Sequence, residues 1–250
     1  MEPITSLDDF TIWSPSSVYF EKYIRVKNIN DWKYTRHDNY WVAESPFYED
    51  GFEKFKSFVS QSPVWRTNSE QDFNENNPFA TIHLPTWATE NLCTLLRDFY
   101  AKEVGVNFSR YRYEEWGNIF DRKYCKPLPK WRIPHIDNAR GIVGNLWFSS
   151  GDNTGTKLYR YKKETRDTQL EFHYNDSMEQ HHRWNSMSDL GRVDEWYNFE
   201  ECDYWDFEEI DFAPSKDGTM TIYKSNTPHD PFITPQTNFR WSHTFCCFVN

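Results

Sequence analysis

Apolar side chains recur at helical spacing in two stretches of the first hundred residues. In 50–61 (DGFEKFKSFVSQ), Phe52, Phe55 and Phe58 stand three apart, which predicts a short amphipathic helix. In 85–104, Leu92, Leu95, Leu96 and Phe99 mark one helix face; Pro85 and Thr86 open that helix, Thr89 strengthens its start, and Gly105 stops it. Residues 1–50 are polar and aromatic without a clear period and read as irregular with short elements. Beyond residue 107 the pattern turns to short β-type runs. The predicted strands are Phe108–Tyr113, Trp131–Ile136, Gly141–Ser149, Thr156–Lys162, Thr219–Lys224 and Phe239–Val249, with turn signals such as GDNTG (151–155) and SKDG (215–218) between them. Short strands following an N-terminal helical portion predict a mainly β fold with flanking helices: a double-sheet barrel or jelly roll. No repeat and no linker interrupts the 250 residues, so one domain is expected, helical and irregular to about 107 and β-built over 108–250.

Composition narrows the function classes. Mean hydropathy is −0.88, and no apolar run approaches the roughly 18 residues of a membrane span. The opening MEPITSLDDF has neither the basic start nor the apolar stretch of a signal peptide, and a cytoplasmic location is expected. Five cysteines (Cys93, Cys125, Cys202, Cys246, Cys247), without a CxxC pair, read as reduced thiols. Cys246 and Cys247 alternate with Phe245 and Phe248 on a predicted strand and are expected to pack. Aromatic residues reach 19%, but with a net charge of −10 their expected role is core packing, not stacking on nucleobases. Neither nucleic acid nor membrane is an expected partner. The acidity is local: 164–211 holds 15 acidic and three basic residues, whereas the rest of the chain has 25 basic against 23 acidic. That insertion is either a solvated excursion or a lid whose field favours a cationic substrate.

Candidate chemistry concentrates in two places. His135-Ile136-Asp137 is the one H-x-D of the chain, at the end of a predicted strand, where residues i and i+2 share a face. An imidazole and a carboxylate so placed, with one further histidine, make the facial triad of non-haem Fe(II) sites. His229, between Pro228 and Pro231 in a loop after the strand 219–224, is the candidate third ligand. Eleven residues later comes the one R-x-S, Arg240-Trp241-Ser242; a guanidinium and a hydroxyl on one strand face suit a remote carboxylate. His181-His182 point apart if extended, and no HExxH is present, so a zinc-protease reading lacks its signature.

In this order, H-x-D, a distant histidine and R-x-S resemble the Fe(II)- and 2-oxoglutarate-dependent dioxygenases, over roughly 108–161 and 217–249. The segment PHIDNARGIVGNLWFSSGDNTGTKLYRY is similar to the part of prolyl-hydroxylase-like members that follows their H-x-D, and the spacing from His229 to Arg240 fits the phytanoyl-hydroxylase-like branch. The resemblance implies a double-stranded β-helix (jelly-roll, cupin-like) core. It implies Fe(II) on His135, Asp137 and His229, and the cosubstrate 2-oxoglutarate anchored by Arg240 and Ser242 between the apolar walls Leu146, Phe148 and Leu158, with O2 as oxidant. The chain departs from the pattern twice. Only Gly155 of the usual glycine pair is present, and Phe148 stands where several relatives place a tyrosine, whose hydroxyl Tyr111 or Tyr113 is expected to replace. Asp137 argues for hydroxylation, since halogenating relatives have a small residue there; desaturation and oxidative cyclisation stay open. Trp131, Arg132, Arg160 and Trp184 are the candidate substrate contacts, and a small polar substrate such as a basic amino acid or a peptide suits the acidic insertion. Two other readings stand beside this one: a cupin-type metalloenzyme with another metal, and a non-catalytic β-sandwich binding module. The oligomeric state is not legible.

Overall fold

The computed structural model describes residues 24–60, 65–67, 80–82, 84, 86–105, 110–123, 136–138, 140–161 and 207–249. In chain order these form β1 (Tyr34–Arg36), β2 (Trp41–Ala43), α1 (Gly51–Ser60), β3 (Trp65–Thr67), β4 (Ala80–Ile82), α2 (Thr86–Val104), β5 (Tyr111–Asp121), β6 (Gly141–Trp147), β7 (Gly151–Tyr161), β8 (Phe207–Ser215), β9 (Met220–Lys224), β10 (His229–Ile233) and β11 (Phe239–Val249). Every pairing is antiparallel. A six-stranded sheet runs β1-β2-β9-β6-β11-β5, a three-stranded sheet runs β10-β7-β8, and β3 and β4 form a ribbon. Both helices fall where the apolar spacing puts them, and Gly105, at φ 74°, ends α2.

The large sheet has two unlike faces. Its outer face carries the helices and is apolar but for the buried pair of His243 and Glu115: Ile142, Leu146 and Phe148 of the β6 region, Met220 and Ile222 of β9, and Trp241, Phe245 and Cys247 of β11 share one buried cluster with Leu92, Leu96 and Phe99 of α2 and Phe55 of α1. The fit is tight at Gly144. A Cβ there would stand 2.7 Å from the Met220 sulfur and 2.9 Å from a Leu96 methyl, so only glycine lets α2 lie this close to β6. Helix α1 is also tied to the β8–β9 turn, because Lys56 donates from Nζ to both Asp217 oxygens at 2.9 and 2.8 Å. The lysine is 8% exposed and Asp217 39%, between a surface and a buried pair. Lys56→Ala is therefore expected to cost about 1–2 kcal/mol, read as a lower urea midpoint at unchanged m-value.

The inner face meets the small sheet. Val143, Tyr223, Cys246 and Phe248 pack against Leu158 and Ala213 across the gap. Polar side chains alternate with these apolar ones and satisfy one another. Asn118 Nδ2 donates to Thr244 Oγ1 (2.9 Å), which donates to Asn145 Oδ1 (2.7 Å), and Asn145 Nδ2 donates to Thr156 Oγ1 (3.2 Å) and the Tyr223 hydroxyl (3.3 Å). That chain of partners links β5, β11, β6, β9 and β7, and makes the burial of five polar groups tolerable.

Several expectations need correction. The turn read at 151–155 is the start of β7, whose register against β8 shifts between Gly151 and Gly155. Strand β5 runs to Asp121, eight residues beyond the expected end. His229 is not in a loop: it opens β10, opposite Leu158 of β7. Pro231 fits there because β10 is an edge strand of its sheet and a missing N–H costs it no ladder bond on the open side. Strand β8 begins inside the stretch read as an acidic insertion; 162–206, the expected strand at 131–135 and the histidines 181 and 182 lie outside the described residues, as do Cys125 and Cys202. Cys93, Cys246 and Cys247 are free thiols and buried. No helix among the described residues is long and apolar enough to cross a membrane.

Candidate active site

The turn after β9 and the short segment before β6 meet at Ser225. Its carbonyl accepts the Asp137 amide at 3.1 Å, its hydroxyl donates to the Asn138 carbonyl at 3.0 Å, and its own amide donates to Gly141 at 3.1 Å. This clamp sets Asp137 beside the start of β10. The Asp137 Oδ2 and His229 Nε2 atoms stand 3.4 Å apart, with the side chains 8% and 7% exposed. His229 Nδ1 lies 3.0 Å from the Thr227 carbonyl, which can only accept, so Nδ1 carries a proton and Nε2 is the ring nitrogen turned to the carboxylate. A carboxylate oxygen and an imidazole nitrogen side by side in a buried place are donor types that one cation takes. Neighbouring ligands at ~2.1 Å from a metal stand about 3 Å apart, and the backbone carbonyl behind Nδ1 is the outer partner that a ligating imidazole uses.

Beside this pair lies the floor of the inner face. Tyr223 packs its ring on that of His229, with centroids 4.6 Å apart. Burial, and next the Asp137 charge, raise its phenol well above the ordinary value, so it stays protonated. Arg240 is 3% exposed, with its guanidinium 4.9 Å from the Trp147 ring. Burial lowers it to about 10, opposed by Tyr223 and Asp230, which leaves it cationic at neutral pH. Two residues on, the Ser242 hydroxyl is fully buried and has no hydrogen-bond partner among the described residues. An orphan hydroxyl two residues along the same strand face from a buried guanidinium fits an anion, since an unmet buried donor is costly otherwise.

Of the residues singled out from the sequence, Asp137 and His229 are brought together, and Arg240 and Ser242 share the inner face with Leu158. His135, Trp131, Arg132 and Trp184 lie outside the described residues. Leu146 and Phe148 do not join them. Both are on the outer face, where Phe148 stacks on Phe52 (5.9 Å) and packs against Trp241 (4.5 Å). The alternation of β6 turns Asn145 and Trp147 inward in their place: Asn145 meets Thr156 and Tyr223, and Trp147 Nε1 donates to Thr221 Oγ1 at 2.9 Å. Tyr111 and Tyr113 also fail to reach the inner face; their hydroxyls bond Arg97 (2.8 Å) and Thr94 (3.1 Å) of α2. The interior hydroxyl that the sequence reading missed is Tyr223. Its signal was present, since Thr221 and Tyr223 alternate with Met220 and Ile222. Arg160 is exposed, pairs with Glu208 at 2.7 Å, and lines a cleft of about 420 Å³ with Arg36, Asp38, Glu103, Lys224 and Thr227, the last in the turn leading to His229.

No family model matches the chain, and no curated protein matches it. Among solved structures it is similar to an N-substituted L-amino acid dioxygenase from Burkholderia ambifaria AMMD (12% identity, TM-score 0.36, covering 83% of this chain and 81% of that one). It is also similar to EvdO2 from Micromonospora carbonacea var. aurantiaca (9% identity, TM-score 0.44, 96% and 93%). A third is SnoK, a non-heme alpha-ketoglutarate-dependent carbocyclase from nogalamycin biosynthesis (8% identity, TM-score 0.36, 96% and 78%). At these TM-scores the likenesses carry no weight; the residues above do.

Proposed function

We propose that this protein is an Fe(II)- and 2-oxoglutarate-dependent oxygenase with a jelly-roll core, acting on a small polar substrate such as an amino acid or a peptide. The observation that carries the reading is the buried Asp137–His229 pair, 3.4 Å apart, on the same inner surface as Arg240 and the orphan Ser242 hydroxyl. Asp137 and His229, with His135, would hold the metal, and Arg240 and Ser242 the distal carboxylate of 2-oxoglutarate. Bound Fe(II) would supply the oxidative chemistry, in which O2 and 2-oxoglutarate give succinate and CO2 and a substrate C–H becomes C–OH. The chain's own tasks are binding and positioning. The carbonyl of Thr227 fixes the His229 tautomer, the Ser225 clamp holds Asp137, and the Trp147 ring orients the guanidinium. Leu158 and Val143 supply apolar walls that exclude water.

The test is succinate formation by protein given Fe(II), 2-oxoglutarate and air, with His135→Ala as control. Succinate that needs iron and disappears in the variant is expected. Failure both to form succinate and to bind 2-oxoglutarate in the presence of metal would return the protein to the binding-module reading. Metal bound without any 2-oxoglutarate dependence would favour a cupin-type enzyme instead.

A further inference from the structure

We propose that the cleft of about 420 Å³ beside the β9–β10 turn is a second ligand site, which takes an α-amino acid head group by its carboxylate and its ammonium. The site goes beyond the oxygenase reading and does not depend on it: of the described residues that line the cleft, none is Asp137, His229, Arg240 or Ser242. Its cations are placed by the pairing of three strands. Arg36 of β1 stands opposite Trp41 of β2, and Trp41 stands opposite Ile222 of β9. Residues opposite one another in antiparallel strands share a face, and Lys224, two residues beyond Ile222, shares it too. Arg36 and Lys224 therefore flank Trp41 on one face, from strands about 10 Å apart. The Arg36 guanidinium lies over the Trp41 ring, 6.0 Å from its centre. Trp41 also lines the cleft; it is 6% exposed, and its indole N–H has no acceptor among the described residues. The residue between the two cations thus holds a donor left unmet by the fold.

The remaining charges of the cleft decide the class of ligand. Glu103 accepts the Tyr34 hydroxyl at 2.5 Å, and Arg160 donates from Nε to Glu208 at 2.7 Å. Among the described residues, the side chains of Arg36, Lys224 and Asp38 make no hydrogen bond and no ion pair. Two open cations and one open carboxylate match a carboxylate and an ammonium on one molecule. A dianion sets its second charge against Asp38 and Glu103, and a simple amine faces Arg36 and Lys224, so both are disfavoured. Val104 and Ile210 add apolar wall for a side chain, and the volume lies in the range of small-molecule sites. Thr227 and Pro228 line the same cleft, and the Thr227 carbonyl accepts from His229 Nδ1 at 3.0 Å. An amino acid held here rests on the turn that carries His229. The head group belongs either to the substrate or to an effector, and its recognition is the same for both.

The test screens the common L-α-amino acids against the full metal-free chain by saturation-transfer NMR. The tightest binder is then titrated beside its amide, which lacks the carboxylate, and its deaminated acid, which lacks the ammonium. The amide is expected to bind about tenfold or more weakly than the amino acid, as for lost hydrogen bonds between charged groups. Arg36→Gln and Lys224→Gln should each weaken the amino acid by about tenfold, and both positions are exposed, so the fold should be kept. Asp38→Asn should weaken the amino acid while leaving the deaminated acid within about twofold. Asp137→Ala should leave amino acid affinity within about twofold, because Asp137 is no part of the cleft. No amino acid bound, or equal binding of amino acid and amide, would overturn the proposal. So would binding that is lost in Asp137→Ala but kept in Arg36→Gln and Lys224→Gln, which assigns the amino acid to the inner face. Incubation with Fe(II), 2-oxoglutarate and air separates the two sources: an amino acid recovered oxidised is the substrate, and one recovered intact is an effector. Amino acid binding with this pattern but no succinate formation and no 2-oxoglutarate binding would overturn the oxygenase reading and leave this site standing.

Discussion

Asp137→Ala is expected to abolish metal binding and, with it, any succinate formation. The carboxylate contributes half of a buried donor pair whose other half, His229, is held in its tautomer by the Thr227 carbonyl. Removal of even an outer partner of a metal ligand typically costs 10–100-fold in affinity, so removal of a ligand should exceed about 100-fold. The fold should survive. Asp137 is held through its backbone amide on Ser225 O, a bond that alanine keeps, and Ser225 Oγ still reaches the Asn138 carbonyl. Mn(II) titration and thermal unfolding of metal-free protein together separate the two effects: binding lost with the unfolding midpoint preserved within a few degrees is the expected pair of results. If Mn(II) binds the variant as it binds the wild type, Asp137 is not a ligand and the proposed centre is wrong.

How much of this was legible in the sequence depends on what each strand faces. The final strand, Phe239–Val249, and both helices follow from spacing alone, because a long run or a one-sided helix leaves an unambiguous pattern. Strand β6 does not. All seven residues of Gly141–Trp147 are buried, since α2 covers one side and the small sheet the other, so apolarity cannot say which face is inward. The reading of Leu146 and Phe148 as cosubstrate walls failed there, by one residue of register. The phase is carried instead by the polar residues. Asn145, Thr221, Tyr223, Thr244, Ser242, Arg240 and Thr156 stand at alternate positions of their strands and face the interior, whereas His243, a buried polar residue on the outer face of β11, is paired with Glu115 of β5. A cluster of polar side chains on one face of buried strands marks the face that binds something, because water cannot satisfy them. Strands β8 and β10 were hidden for other reasons: the acidic run Glu208–Asp211 masks the first, and Pro228 and Pro231 made the second read as a corner.

Phe99→Ala is expected to be among the most destabilising single substitutions in the chain, at about 3–5 kcal/mol, while sparing the inner face. The ring is fully buried at the outer face of the large sheet and meets three others edge-on: Tyr34 at 4.9 Å, Trp41 at 5.4 Å and Trp32 at 5.8 Å. Deletion leaves a cavity lined by rigid rings that cannot collapse into it, so the loss lies towards the upper end of the range. For a chain of this size that corresponds to a fall in the thermal midpoint of about 10 °C. Tyr34 belongs to β1 and Trp41 to β2, the hairpin that among the described residues joins the rest of the sheet through β9, so loosening should be greatest there. Proteolysis is expected to cut first near 36–41, and Phe99→Leu, which keeps most of the volume, should recover more than half of the loss. The inner chain from Asn118 to Tyr223 touches none of these rings, so 2-oxoglutarate binding by the Phe99→Ala protein that remains folded should stay within about threefold of the wild type. A loss of binding as large as that in Asp137→Ala would mean that the two faces of the sheet are not separable, and that helix packing itself sets the positions of Arg240 and Tyr223.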